Sequence, residues 1–327
     1  MNTPARMKLA GVIGGVLDKP IRCLVYGVDG VGKTTFAAGA PSPIFIGAED
    51  GTSQINVARF PEPHSWRDAF DALHELETAE HEYKTVVIDT LDWLEPMCWA
   101  HIMKGRRTKD GKAIESIDDL DYGRGYTAAL DEWRELCARL DRVRARRGMG
   151  VVLLAHAWIK KFANPEGEDF DRFEVKLHQK AAGLLREWAD AVLFANFETL
   201  THGKKGQRHK GISTGARILQ TRRTAAADAK NRYSLPEILP LDWSSFAEAV
   251  ANRQPADPEA LRARITELLQ AAKDEALSER VRRAVEAACD NAQLLARIEN
   301  KLAAQVSVDD GNSDDNNKQE GATNGNR

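Results

Sequence analysis

The chain has 327 residues, 43% of them hydrophobic, and a formal net charge of -3; that length and core content suit one large domain and a smaller one. The near-neutral balance excludes a global basic field, so any site for a polyanion must be a local patch. The four cysteines, Cys23, Cys98, Cys137 and Cys289, form no CxxC pair, which argues against a zinc or disulfide framework and for a reducing compartment, and no apolar run is long enough to span a membrane.

Residues 1–20 read as a flexible arm: Arg6 and Lys8 precede an apolar run that Gly11, Gly14 and Gly15 interrupt, with no cleavage site after it. Residues 21–26 form a near-continuous apolar run, the pattern of a strand buried on both faces. The loop Gly27, Val28, Asp29, Gly30, Val31, Gly32 follows, and Lys33, Thr34 and Thr35 open a short helix that stops before Pro41. This is the P-loop spacing. Its glycines let backbone N–H groups face phosphate oxygens, and the helix start adds a positive dipole end. Lys33 is expected at the β- and γ-phosphates of ATP, Thr34 on Mg²⁺ and Thr35 near the α-phosphate.

A second strand, 44–47, runs into Ala48, Glu49 and Asp50, placing two carboxylates at a strand's C-terminal edge, where ligands bind in open α/β sheets. Ala69, Phe70, Leu73 and Leu76 mark an amphipathic helix. The β-branched run 85–89 ends in Asp89, the expected second nucleotide motif, with its carboxylate near the Mg²⁺ ion. A helix over 93–103 leads to a basic loop with Lys104, Arg106 and Arg107, followed by Glu115, Asp118, Asp119 and Asp121. From Tyr126 a long helix carries Leu130, Trp133, Cys137 and Leu140 on one side and stops at Gly148 behind a cluster of arginines.

The strand 150–156 ends in His156. A polar stretch from Lys160 and Lys161 to about residue 176 reads as a long loop. Its Phe162, Phe170 and Phe173 suit loop or core packing better than base stacking. A helix over 180–188 and a strand over 191–197 precede a second cationic loop with Lys204, Lys205, Arg208 and Lys210, and then a strand over 216–221. Each basic loop reads either as a track for nucleic-acid phosphates or as solvated surface. Pro240 to Trp243 closes the first domain, 21–253. Residues 254–305 hold helices capped by Asp257, Ser278 and Asp290, and the Asp/Asn-rich tail, 306–327, reads as disordered.

The P-loop, Glu49 at the end of the second strand, Asp89 followed by Thr90 rather than glutamate, and His156 at a later strand end together resemble RecA-like P-loop ATPases. In AAA+ ATPases the glutamate directly follows the aspartate; in RecA-like proteins it ends the neighbouring strand. The resemblance, over roughly residues 21–243, implies an α/β fold with a mainly parallel central sheet flanked by helices. It implies Glu49, or else Asp50, as the residue that activates water, and His156, as in the RadA branch, as the γ-phosphate sensor ahead of a DNA loop at Lys160 and Lys161. Lys230-Asn231-Arg232-Tyr233-Ser234 resembles the RadA-type Lys-Asn-Arg-Phe-Gly motif, with Ser234 departing from glycine. This implies Lys230 and Arg232 acting on the ATP of an adjacent subunit in a homo-oligomer.

The reduced layout looks like phage and prophage RecA-core proteins of recombination and single-strand annealing. That implies single-stranded DNA as a partner, a cytoplasmic setting in a bacterium or infected host, and a replication or recombination partner for the C-terminal helices or tail. A DNA-remodelling or helicase-loader-like ATPase, and a nucleotide-gated interaction module without turnover, stand as alternatives.

Overall fold

A computed structural model describes residues 12, 17 and 19–302, except 50, 109, 121–122, 165–166, 203–209, 253–257, 273–274, 290, 292–293, 296–297 and 300. The chain divides into two compact units, Met1–Val250 and Ala251–Arg327. Apart from isolated positions, the expected arm lies outside the described residues, as does the acidic tail.

The first unit is a sheet with helices on both faces. In chain order its elements are β1 (Arg22–Gly27), α1 (Lys33–Ala38), β2 (Pro43–Gly47), β3 (Ala58–Arg59), α2 (Trp66–Thr78), β4 (Thr85–Asp89), α3 (Leu91–Met103) and α4 (Arg124–Arg147). There follow β5 (Gly150–Phe162), β6 (Phe170–Val175), α5 (Gln179–Trp188), β7 (Ala191–His202), β8 (Lys210–Gln220), β9 (Lys230–Asn231), β10 (Ile238–Pro240) and α6 (Trp243–Ala251). The sheet order is β10-β8-β7-β1-β5-β4-β2-β3, with β6 added to β5 and β9 to β7. From β7 to β3 neighbouring strands run parallel; β8 and β10 extend the sheet antiparallel. This is the mainly parallel central sheet flanked by helices that the resemblance implies. One strand, β5, stands between the P-loop strand β1 and the Asp89 strand β4.

Alternation along the apolar strands explains why they read as continuous. Leu24 and Tyr26 of β1, Val86 and Ile88 of β4, and Leu153 and Ala155 of β5 face a core built with α2, α3, α4 and α5. Cys23, Val25, Val87, Val152 and Leu154 face a second core built with α1 and α6. Trp66 and Trp133 meet edge to face at 5.1 Å in the first core. In the second, Phe36 of α1 lies 5.2 Å from Trp243 and 5.8 Å from Phe246. Trp243 therefore opens a helix that belongs to this unit.

The polar stretch after Lys160 departs from the expected loop. β5 runs on past the sheet to Phe162 and pairs antiparallel with β6, forming a two-stranded ribbon. Phe162 and Phe170 pack on each other at 5.2 Å, while Phe173 stacks on Phe194 at 4.9 Å against the first core.

In the second unit, α7 (Pro258–Ala272) and α8 (Glu275–Ala288) pack Leu261, Ile265, Leu277 and Val281 with Leu295 and Leu302. Among the described residues no helix is long and apolar enough to cross a membrane.

Candidate nucleotide site

Strand register builds the site. Gly27 ends β1, and its residue partners are Ala195 in β7 and His156 in β5. A Cβ on Gly27 would stand 2.2 Å from the Ala195 carbonyl oxygen, so only glycine lets the two strands close here. Beyond it Gly30 and Gly32 have φ of 69° and 104°, the left-handed region that side chains disfavour. Gly32 caps α1, and its carbonyl accepts from Phe36 N at 2.9 Å.

Lys33 is buried, and its Nζ donates to the Gly27 and Val28 carbonyls at 3.2 and 3.1 Å. Burial lowers its pKa, opposed by Asp29 and Asp89; among the described residues no carboxylate forms an ion pair with it. Thr34 Oγ1 donates to Asp89 Oδ2 at 2.8 Å. Asp89 is 2% exposed. Desolvation, with the nearby Glu49 charge adding to it, pushes its carboxyl up to about 6 against the Thr34 bond. Thr35, in the first turn of α1, is exposed.

Glu49 is one-third exposed, beyond the end of β2. The residue after Asp89 is Thr90, and its hydroxyl donates to Glu49 Oε2 at 3.4 Å. Position 50 lies outside the described residues. Gly51 returns to the site: a Cβ there would be 3.6 Å from Thr34 Oγ1 and 3.8 Å from Asp89 Oδ2, so a glycine keeps open the space beside the hydroxyl and carboxylate. These hard oxygen donors suit Mg²⁺, which keeps waters and takes few protein ligands; the fit rests on Thr34 and Asp89.

His156 closes the site from β5. Asp92, in the first turn of α3, takes the His156 backbone N–H at 2.9 Å and lies 2.9 Å from Nδ1. Nε2 faces Asp29 at 3.7 Å and Glu49 at 3.9 Å. The hydrogen bond to Asp92 raises the His156 pKa, with burial opposing. Lys176, the residue after β6, stands 3.7 Å from Asp92. Asp92 was not visible as a site residue in the sequence; its one signal is an acid in the first helical turn behind Asp89.

Lys230, expected as a finger toward an adjacent subunit, is engaged within its own chain. Its Nζ donates to the carbonyls of Arg186, Glu187 and Ala189, capping the C-terminus of α5. Arg232 pairs with Asp190 at 3.0 Å and stays half exposed. Both lie by the start of β1, where Asp190 N donates to Arg22 O, the opposite end from this chain's own P-loop.

Of the expected DNA contacts, Lys104, Arg106 and Arg107 are exposed, with Arg107 donating to Gly111 O at 3.0 Å. Lys160 and Lys161 project from the ribbon; Lys160 lies 5.5 Å over the exposed Trp158 ring, and Lys161 pairs with Asp169 at 3.4 Å. Lys204, Lys205 and Arg208 fall outside the described residues, and Lys210 opens β8.

The family described as AAA domain (AAA_24) matches residues 19–233, the whole span from β1 to β9. The chain belongs to this AAA domain family. Among curated proteins none matches. Among solved structures, this AAA domain protein is similar to the crystal structure of the RadB recombinase, with 14% identity, a TM-score of 0.36, and coverage of 68% of this chain and 86% of that one. Within the matched span Thr90 follows the strand-end Asp89, and Glu49 lies beyond the end of the neighbouring β2.

Proposed function

We propose that this protein hydrolyses ATP and couples the nucleotide state to binding of single-stranded DNA in recombination or strand annealing. One observation carries the reading. His156 is the register partner of Gly27 in the P-loop, and the same strand continues without a break into the ribbon bearing Trp158, Lys160 and Lys161. A change at the γ-phosphate therefore has a direct path to an exposed aromatic and cationic surface.

This geometry supports the following roles. The loop N–H groups and Lys33 hold the triphosphate. Thr34 and Asp89 would hold Mg²⁺, which supplies charge neutralisation at the phosphoryl oxygens when bound. Glu49, tied by Thr90, orients the attacking water and takes its proton. His156, oriented by Asp92, reads the γ-phosphate through Nε2. Trp158 and Lys160 offer a stacking face and a phosphate contact for a single strand. Arg232, half exposed at the far end of β1, suits contact with a neighbouring subunit's nucleotide in a homo-oligomer; Lys230 remains with α5.

The test is ATP turnover with and without single-stranded DNA, read beside assembly state, for the wild type and for Lys33→Ala. The reading expects turnover that DNA raises and that Lys33→Ala abolishes without unfolding. Turnover surviving in Lys33→Ala would end the ATP reading. Turnover that DNA leaves unchanged, with no DNA binding in either nucleotide state, would end the DNA reading alone.

A further inference from the structure

The P-loop has an acidic flank and a cationic one. Strands β4 and β2 bring Asp89 and Glu49 on the β5 side of β1, whereas β7 and β8 lie on the other side. From that second side Arg217 of β8 reaches back to the loop. Its Nη1 is 3.5 Å from the Val31 carbonyl, a long and weak hydrogen bond, and 2.8 Å from where a Cβ on Gly32 would stand. The glycine at position 32 thus serves a left-handed turn and also leaves room for a guanidinium.

The arginine's backbone is firmly held. Arg217 pairs with Phe197 in β7, and its carbonyl accepts from Leu241 N at 3.0 Å. Its side chain is nonetheless exposed, and among the described residues no carboxylate neutralises it. Two arginines elsewhere in this unit are matched to carboxylates, Arg22 with Asp190 at 2.8 Å and Arg186 with Asp228 at 2.5 Å. The single long bond to Val31 leaves most of the N–H donors of Arg217 unused. A planar cation mounted on a strand beside a phosphate cradle is well prepared to take an anion.

We infer that Arg217 is a nucleotide ligand acting within its own subunit, on the part that ATP and ADP share. The γ-phosphate and metal belong to the flank of Asp89, Glu49 and His156, so a cation on the opposite flank meets the α- and β-phosphate side. This assignment rests on ATP occupying the P-loop, as proposed above.

Fluorescent ATP and ADP titrations on the full chain test it, with Arg217→Ala, Arg217→Lys and the wild type compared, and with melting measured without nucleotide. The expected result is about a tenfold loss of affinity for both nucleotides in Arg217→Ala, part recovery in Arg217→Lys, and an unchanged melting point without ligand. Wild-type affinity for both nucleotides in Arg217→Ala overturns the inference alone. Loss for ATP but not ADP overturns the shared-phosphate assignment. A lower unliganded melting point with nucleotide affinity kept would reduce Arg217 to a brace for the loop. A wild type that binds neither nucleotide would sink this inference together with the ATP reading.

Discussion

Thr34 of the P-loop helix and Asp89 of β4 are joined by a 2.8 Å hydrogen bond that spans the sheet from β1 past β5 to β4. The bond crosses the space where a hard cation would sit, and it is made to a carboxylate that burial holds near a pKa of about 6. Asp89→Asn keeps the acceptor for Thr34 and removes the charge. The variant should melt no lower than the wild type, while ATP turnover drops by about 100-fold or more. A Mg²⁺ titration of turnover checks this; wild-type rates at saturating Mg²⁺ would remove Asp89 from the site.

Glu49 is the acid expected to position water. Glu49→Gln keeps the acceptor for Thr90 and should bind ATP as the wild type does, with turnover slowed by roughly 10²–10⁴-fold. Single-turnover hydrolysis separates the two properties. Normal turnover in Glu49→Gln beside a slow Asp50→Asn would move the base one residue along the chain.

Much of this was legible in the sequence, and the reason lies in where each signal resides. Strands β1, β2, β4 and the first half of β5 are written in apolar residues because both faces are covered, and the glycine loop is dictated by backbone conformation. Both are local properties. Asp92 and Arg217 were not legible, since each is a lone charged residue in an ordinary segment. Only register across the sheet brings them to the loop. The ribbon of β5 and β6 was missed because it leaves the core and so lacks an apolar alternation. The bonds of Lys230 to three carbonyls at the end of α5 were not legible either, because they depend on where that helix stops against β9.

Asp92 holds His156 by two contacts at 2.9 Å. The hydrogen bond to the ring raises the His156 pKa, which favours the imidazolium. Asp92→Asn should bring that pKa down toward the ordinary histidine value of about 6.5, as read from the ring-proton shifts of His156 in an NMR titration. The fold should persist. An unmoved His156 titration would show that Asp92 does not set the ring's charge.

Gly27 is closed in by the neighbouring strand, with room for no Cβ beside the Ala195 carbonyl. Gly27→Ala should therefore push β1 and β7 apart where the P-loop begins. Nucleotide affinity is expected to fall, together with a destabilisation of about 1–3 kcal/mol, the usual range for overpacking. Denaturant unfolding and nucleotide titration measure the two effects. A variant with unchanged stability would mean that the strands separate at no cost.

Glu95 of α3 offers a pH test well removed from the phosphates. Its carboxylate is 6% exposed and accepts the His178 backbone N–H at 3.1 Å. Desolvation pushes its pKa up to about 7, and the neighbouring Asp92 adds to the shift. Because the folded-state value lies above the unfolded one, folding favours the protonated acid. Its contribution is full below the unfolded value of about 4.3 and is lost as pH rises through about 7. Glu95→Gln keeps an oxygen for His178 and cannot ionise. Its stability should track the wild type near pH 4 and exceed it increasingly up to pH 8, by an amount on the order of 3 kcal/mol. Urea unfolding at both pH values decides the matter. A constant difference between the proteins across that range would show that Glu95 stays ionised in the folded chain.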